Sequence, residues 1–317
     1  MKYLNLSEKF NPYNAKEKDC IKFELLTFAG GEPHIKIKYD NDIVVDESND
    51  LGFIDVTITH RINSFGDLGT LLVAVDALKR TFNIIEFNLF LPYFPGARQD
   101  RPMIVGEPLT CKIYADIINN LKFHNVTIFD PHSFVTPALI NNCNVINNHS
   151  FVSAALIKIG GYEKDTVIIS PDAGSNKKIM DLAKDLSLTE VVKCDKERDV
   201  STGKIKSFSV YSDDLQKKDC IIVDDICSNG GTFLGLAKEL KKKNAGNLYL
   251  IVSHGEFGKD KIHTFKKLGE VFKEIYCTDS ITTFDQDEFL TMKSYFSFTR
   301  SYKTFIKQIK LNDILNG

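Results

Sequence analysis

Short apolar runs recur along the chain at Asn88 to Leu91, Val126 to Phe129, Val167 to Ile169, Ile221 to Val223, Leu248 to Val252 and Ile275 to Cys277. Each has the length of a strand and little polar alternation, the pattern of strands buried on both faces of a parallel sheet. Between them the period becomes helical. Phe233, Leu236, Ala237 and Leu240 fall at i, i+3, i+4 and i+7, with the charged run Lys238 to Lys243 as the wet end, and Leu109, Ile113, Ile117 and Leu121 predict a second apolar stripe. Strand and helix alternate in both halves, which predicts an α/β fold with mostly parallel sheets flanked by helices and joined by right-handed crossovers.

At 317 residues the chain exceeds the roughly 250 to 300 residues at which single cores stop growing. Two domains of similar build are expected. The Asn-rich stretch Asn144 to Val152 lies between two βα series and is the expected boundary, with one ordinary loop as the alternative, giving expected domains 1–146 and 147–290. The tail 291–317, with Tyr295, Phe296, Phe298, Tyr302 and Phe305, is expected to pack as a final helix.

Composition narrows the function classes. With 43% hydrophobic and 26% charged residues, the chain has the make-up of an ordered globular protein. Forty basic and 42 acidic side chains nearly cancel, so no general positive field exists to hold nucleic acid, and any phosphate site must be local. No stretch approaches the roughly 20 apolar residues of a membrane span, and Met1 to Phe10 has no apolar targeting core, so a cytoplasmic location is expected. The seven cysteines are odd in number and include no C-x-x-C pair, which predicts reduced thiols, several of them small core residues such as Cys220.

Open α/β sheets bind ligands beyond the carboxyl ends of their strands. The most informative such place is Val223-Asp224-Asp225-Ile226-Cys227-Ser228-Asn229-Gly230-Gly231-Thr232, between the run ending at Val223 and a helix expected near Thr232. Gly230 and Gly231 permit a tight turn that presents backbone N–H groups, and the helix N-terminus adds positive potential, together suited to a phosphate monoester. Thr232 can cap the helix or bind a phosphate oxygen. Adjacent side chains alternate faces along a strand, so Asp224 and Asp225 reach one ligand only if the strand has ended before them. There they can accept from vicinal sugar hydroxyls or orient metal-bound water; the alternative is an ordinary βα turn.

This sequence resembles the phosphoribosyl-diphosphate loop shared by type I phosphoribosyltransferases and ribose-phosphate pyrophosphokinases. Upstream, Pro92-Tyr93-Phe94-Pro95-Gly96-Ala97-Arg98-Gln99-Asp100-Arg101 and Gly106-Glu107-Pro108-Leu109-Thr110 resemble the ATP-side signature of the pyrophosphokinases. Phe129-Asp130-Pro131-His132-Ser133 resembles that family's metal-binding histidine motif, Ser170-Pro171-Asp172-Ala173-Gly174 its next strand-end loop, and Lys196-Glu197-Arg198 the basic pair of its catalytic loop. The collinear matches run from about Phe28 to Ile281.

The resemblance implies two phosphoribosyltransferase-like domains and an Mg²⁺-dependent enzyme. Such an enzyme transfers the β,γ-diphosphate of ATP to the 1-hydroxyl of ribose 5-phosphate. It implies ATP contacts for Phe28, Glu32, Arg98, Gln99 and Asp100, and acceptor contacts for Asp224, Asp225, Ser228, Asn229, Gly230, Gly231 and Thr232. It further implies catalytic roles for Lys196, Arg198 and His132, metal binding at His132 and Asp172, and a homo-oligomer built from dimers in which Phe28 stacks on adenine across a subunit interface. Residue by residue, bland alternatives stand beside these roles: a surface turn in which Arg98 or Arg101 pairs with Asp100, and a core position for Phe28. Asp195 to Lys206, charged and without an apolar stripe, is expected to be a mobile lid, with an ordinary solvated loop as the alternative.

Besides the first 25 residues and the stretch Thr59 to Thr70, which match poorly, the match departs at two places. Gly30 stands where the family usually has an acid, and the acceptor loop begins with Ser228 where many members carry an acidic residue. The second change makes the pocket smaller in side-chain volume and less acidic, so ADP-ribose is an alternative acceptor within the same chemistry. A phosphoribosyltransferase and a silent regulatory member complete the alternatives. No G-x-x-x-x-G-K-[ST] occurs, which excludes a P-loop kinase.

Overall fold

A computed structural model describes residues 1–38, 53–161, 165–198, 205–284 and 306–316, with only the backbone of Arg198. The chain divides into two compact units, Met1–Asn147 with Leu315–Gly317, and Asn148–Ile314.

In the first unit, β1 (Lys2–Asn5), β4 (Phe53–Thr59), β5 (Asn83–Leu91), β6 (Asn125–Phe129) and β7 (Cys143–Ile146) form a sheet in the order β1-β4-β5-β6-β7, every neighbouring pair parallel. Helices α1 (Phe65–Thr81), α2 (Thr110–Asn120) and α3 (Val135–Leu139) connect them. A separate hairpin, β2 (Phe23–Thr27) and β3 (Pro33–Ile37), is antiparallel. Leu4, Val56, Ile58, Leu71, Ala74, Leu78, Leu89 and Ile128 lie in the core of this unit.

The second unit contains α4 (His149–Ile159), β8 (Thr166–Ser170), α5 (Asn176–Asp185), β9 (Val191–Arg198), β10 (Ile205–Val210), β11 (Asp219–Cys227), α6 (Gly231–Lys242), β12 (Leu248–Gly255), α7 (Lys261–Gly269), β13 (Glu274–Thr278), β14 (Ile306–Ile309) and α8 (Leu311–Leu315). Its sheet runs β10-β9-β8-β11-β12-β13-β14, parallel at every pair except β9 with β10. Every residue of β12 is buried, which is why that segment reads as a continuous apolar run.

The expected stripe of α6 is the one observed: Phe233, Leu236, Ala237 and Leu240 are its buried residues. Helix α2 forms where expected but turns a different face inward. Cys111, Tyr114, Ala115 and Ile118 are buried, Ile117 and Leu121 of the expected stripe pack partly buried against the core, and Ile113 is exposed, so the inward face is shifted by about one position towards small and amphipathic residues. The tail also differs from expectation. Residues 285–305, with all five of its aromatics, lie outside the described residues, and Ile306–Ile309 extends the sheet beside β13 before the short helix α8. Ile306 and Ile309 are both buried, so the segment packs as a strand.

No helix among the described residues is long and apolar enough to cross a membrane. The seven cysteines are free thiols, and five of them are buried.

Candidate functional site

Differences in strand length shape the second unit's site. Strand β8 stops at Ser170, which pairs with Lys193 of β9, and its last pair on the other side joins Ile169 to Ile222 of β11. Both neighbours continue, β9 to Arg198 and β11 to Cys227, so a notch opens at the carboxyl end of β8. The loop after β8 brings Asp172 into it. Asp172 Oδ2 accepts from Lys196 Nζ at 2.5 Å, while Oδ1 accepts from the Ser175 backbone N–H at 3.1 Å. The ion pair is sheltered, with Lys196 13% and Asp172 25% exposed.

Asp224 and Asp225 border the same notch from β11. They do not follow the end of their strand, as expected; the strand runs through them, pairing Asp224 with Val252 and Ile226 with His254. What ends is the neighbouring strand, and that leaves this edge open. Asp225 is buried, and its backbone N–H donates to Asp224 Oδ1 at 2.9 Å. Burial pushes the Asp224 carboxyl well above the usual carboxylate range, and the nearby charges of Asp225 and Asp172 push it further.

The loop beyond, Ser228 to Thr232, turns into α6 at Gly230, whose φ of 72° lies in the left-handed region that glycine tolerates. Helix α6 begins at Gly231, one residue earlier than expected. Gly230 is the N-cap and no side chain caps the helix, so Thr232, already inside the first turn, does not have the capping role considered for it. Asn229 packs so closely on Gly258 that a Cβ there would overlap its Oδ1. The β12–α7 connection thus braces the loop from below.

The segment Asp195 to Lys206, expected to be a mobile lid, is described only at its two ends. Apart from residues 199–204, which lie outside the described residues, the segment is an antiparallel ladder pairing Asp195 with Ser209, Lys196 with Phe208, Glu197 with Ser207 and Arg198 with Ile205. Tyr211 adds a 2.6 Å hydrogen bond to Asp195. Cross-strand pairing supplies the order that the charged sequence does not advertise.

In the first unit, Pro92 to Leu109 and Asp130 to Phe134 follow β5 and β6. Arg98 and Gln99 are exposed on a turn in which the Gln99 N–H donates to the Gly96 carbonyl and the Gln99 carbonyl accepts from the Cys111 N–H, tying the turn to the start of α2. Asp100 instead points inward at 8% exposure, accepting from Arg101 Nε at 3.0 Å and from Ser133 Oγ at 2.6 Å. Its burial disfavours the charged form, but the bonds from Arg101 and Ser133 and the charges of Arg101 and His132 outweigh that and hold the carboxyl below its ordinary range. The Arg101–Asp100 pairing weighed against a ligand role is therefore present, and through Ser133 the same carboxylate fastens the half-buried His132 loop. Asp130, at φ 40° and 1% exposure, opens that loop.

Phe28 sits at the tip of the β2–β3 hairpin, 55% exposed, against His34 at 5.5 Å between rings. It is not a core residue. The turn closes with Phe28 N–H donating to Glu32 O and Gly31 N–H to Phe28 O. The Glu32 carboxylate folds over Gly30, occupying space that a side chain at position 30 would need.

A resident cation is compatible with these residues. Among the described residues no three His, Cys, Asp or Glu side chains converge into a metal cage. A magnesium ion that keeps most of its water needs only one or two protein ligands. The mutual repulsion that raises the Asp224 carboxyl beside Asp172 and Asp225 is the kind of negative site such an ion relieves. His132 belongs to the first unit and Asp172 to the second.

The residues not singled out in advance are Ser133 and Ser175, which anchor Asp100 and Asp172, and Phe208, which lies opposite Lys196. Ser133 and Ser175 adjoin the strand-end motifs and were open to inspection there; nothing in the sequence points to Phe208.

The phosphoribosyl transferase domain family matches residues 152–285. A ribose-phosphate pyrophosphokinase of Mycoplasma genitalium is 32% identical over 239 residues, covering 75% of this chain and 68% of the relative. That of Mycoplasma pneumoniae is 30% identical over 270 residues, covering 82% and 76%. The crystal structure of phosphoribosylpyrophosphate synthetase from Mycobacterium smegmatis superposes with a TM-score of 0.76 over 99% of this chain and 95% of that one, at 21% identity, which shows a common fold.

Proposed function

The chain belongs to the ribose-phosphate pyrophosphokinase family and is a transferase, and from that premise we propose that it moves the β,γ-diphosphate of ATP onto the 1-hydroxyl of ribose 5-phosphate. The observation that carries this reading is the notch at the end of β8, where Lys196 meets Asp172 beside the Asp224–Asp225 pair and the uncapped α6 loop.

In this reading the acceptor's 5-phosphate lies against Ser228 to Thr232, held by backbone N–H groups at the start of α6. Asp224 and Asp225, set along the β11 edge that the end of β8 leaves open, accept from the ribose hydroxyls from the two sides of that edge and fix the 1-hydroxyl for attack. A bond forms between that oxygen and the β-phosphorus, the bond from the β-phosphorus to the AMP oxygen breaks, and the hydroxyl proton is lost to solvent. Lys196 and Arg198 neutralise charge on the migrating diphosphate, the largest service a protein offers to a reaction of this type. Arg98 and Gln99 hold ATP, whereas Asp100 works at one remove by fixing the His132 loop. Mg²⁺ would supply charge neutralisation on the phosphates; Asp172 is a candidate ligand in the second unit and His132 a candidate in the first, with water completing the coordination. A cytoplasmic location belongs to the same reading, and the free thiols of the seven cysteines support it.

Phe28 and Glu32 are read as the adenine end of the ATP site, completed from a second copy of the chain in an oligomer built from dimers. The exposed hairpin tip supports this. Phe28→Ala is expected to raise the KM for ATP about tenfold, the worth of one aromatic stack, with kcat and acceptor KM little changed. An unchanged ATP KM would remove Phe28 from the site, and light scattering that shows only monomer in an active sample would remove the partner.

The deciding assay follows AMP release from ATP and Mg²⁺ with each acceptor in turn. Ribose 5-phosphate is expected to support it. Release with ADP-ribose alone would move the reading to the larger acceptor, consistent with the loop that begins at Ser228. Base-dependent diphosphate release without ATP would instead mark a phosphoribosyltransferase.

A further inference from the structure

We propose that the contact between Phe208 on β10 and Gly235 on α6 is the seat that sets the position of Lys196. Past its pair with Ser170, β9 has no β8 residue beside it, so among the described residues the backbone of Cys194 to Arg198 pairs only with β10. The hairpin therefore needs a hold elsewhere. Phe208 provides it, half-buried against the core of the second unit.

At Gly235 the ring lies directly on the helix backbone: a Cβ there would overlap Phe208 Cε2 and stand 3.1 Å from Cζ. Glycine is a poor residue for a helix interior, and this approach accounts for it at the second turn of α6. Phe208 pairs directly with Lys196 in the antiparallel ladder, and residues opposite one another in such a ladder project from the same face. The face seated on α6 is thus the face that bears Lys196. The same helix begins at the Ser228 to Thr232 loop, so the seat references the lysine to the element that holds the acceptor. Phe208 and Gly235 are positioning residues; neither is assigned a contact with substrate.

The catalytic consequence rests on the reading of Lys196 above, while the positional claim stands apart from it. Gly235→Ala and the pair Phe208→Leu with Gly235→Ala test both, with thermal unfolding as the check of folding. The added methyl pushes the ring and its strand outward. Acetylation of Lys196, mapped by mass spectrometry against exposed Lys238 in the same protein, is expected to rise severalfold in G235A. Turnover is expected to fall about tenfold or more, with acceptor KM within about twofold, as for a group displaced by a fraction of an ångström to an ångström. The shorter leucine of the double variant makes room for the methyl and is expected to return both readouts towards wild type, which a general loss of helix integrity would not do. Unchanged Lys196 labelling in G235A, or no recovery in the double variant, overturns the seat. If the wild type releases no AMP with any acceptor, the proposed activity fails, and the labelling comparison still decides the seat.

Discussion

Replacing Lys196 with alanine is expected to lower kcat by about two to three orders of magnitude, the usual cost of removing one preorganised charge from a transition state. The dissociation constant for ribose 5-phosphate is expected to stay within about threefold, because the contacts assigned to the acceptor come from β11 and the α6 loop. The split is informative because Lys196 also has a structural partner. Its loss leaves Asp172 with the Ser175 N–H and no ammonium. The pair is sheltered, so its loss also costs stability, which thermal unfolding reads separately from the barrier change expected if the lysine acts on the diphosphate. Lys196→Arg should recover part of the rate, since it keeps the charge but not the compact ammonium geometry. A kcat within about fivefold of wild type for the alanine variant, in a protein that still unfolds cooperatively, would confine Lys196 to the ion pair with Asp172.

The ion pair itself was beyond reach of the sequence. Lys196 and Asp172 each stand in a recognisable motif, but nothing in the spacing says that β8 is short enough, and β9 long enough, for the loop after one to meet the side of the other. Strand β11 shows the same limit from the other direction. The apolar run ends at Val223, yet hydrogen bonding to β12 carries the strand through two aspartates to Cys227, because pairing and not hydrophobicity decides where a strand stops. The buried strands β8 and β12 and the face of α6 were legible, since burial on both sides or along one stripe leaves a direct trace in residue type. Strands β9, β10 and the hairpin β2–β3 left none, being held by cross-strand partners and single anchors such as Phe208. The motif residues were found because their chemistry is unusual for a strand end. Asp100 was placed with the ligand contacts although its carboxylate is committed to Arg101 and Ser133, a commitment that depends on a loop 33 residues away.

Asp224→Asn is expected to stabilise the protein and disable it together. Burial raises the Asp224 carboxyl first, and the charges of Asp225 and Asp172 raise it further, so the folded state prefers the protonated form. A group raised on folding contributes stability that is fully present below its unfolded value, near pH 3.9, and lost as pH climbs through the folded value. At pH 7.5, above the unfolded value, the wild type therefore carries the cost of folding an aspartate whose ionised form this place disfavours. Asparagine has nearly the same shape and keeps an oxygen to accept from the Asp225 N–H. The variant should melt a few degrees higher than wild type at pH 7.5, about what 1 kcal/mol is worth in a domain of this size, with the difference vanishing by about pH 4. Acceptor binding should weaken by about a hundredfold, because the ribose loses a charged acceptor. Added Mg²⁺ should narrow the difference in melting by raising the wild type, since a cation beside Asp172 offsets the same repulsion. A lower melting point for the variant at pH 7.5 would mean that the carboxylate is welcome where it sits. The expected result would mark Asp224 as a residue kept at a cost to the fold because the acceptor site requires its charge.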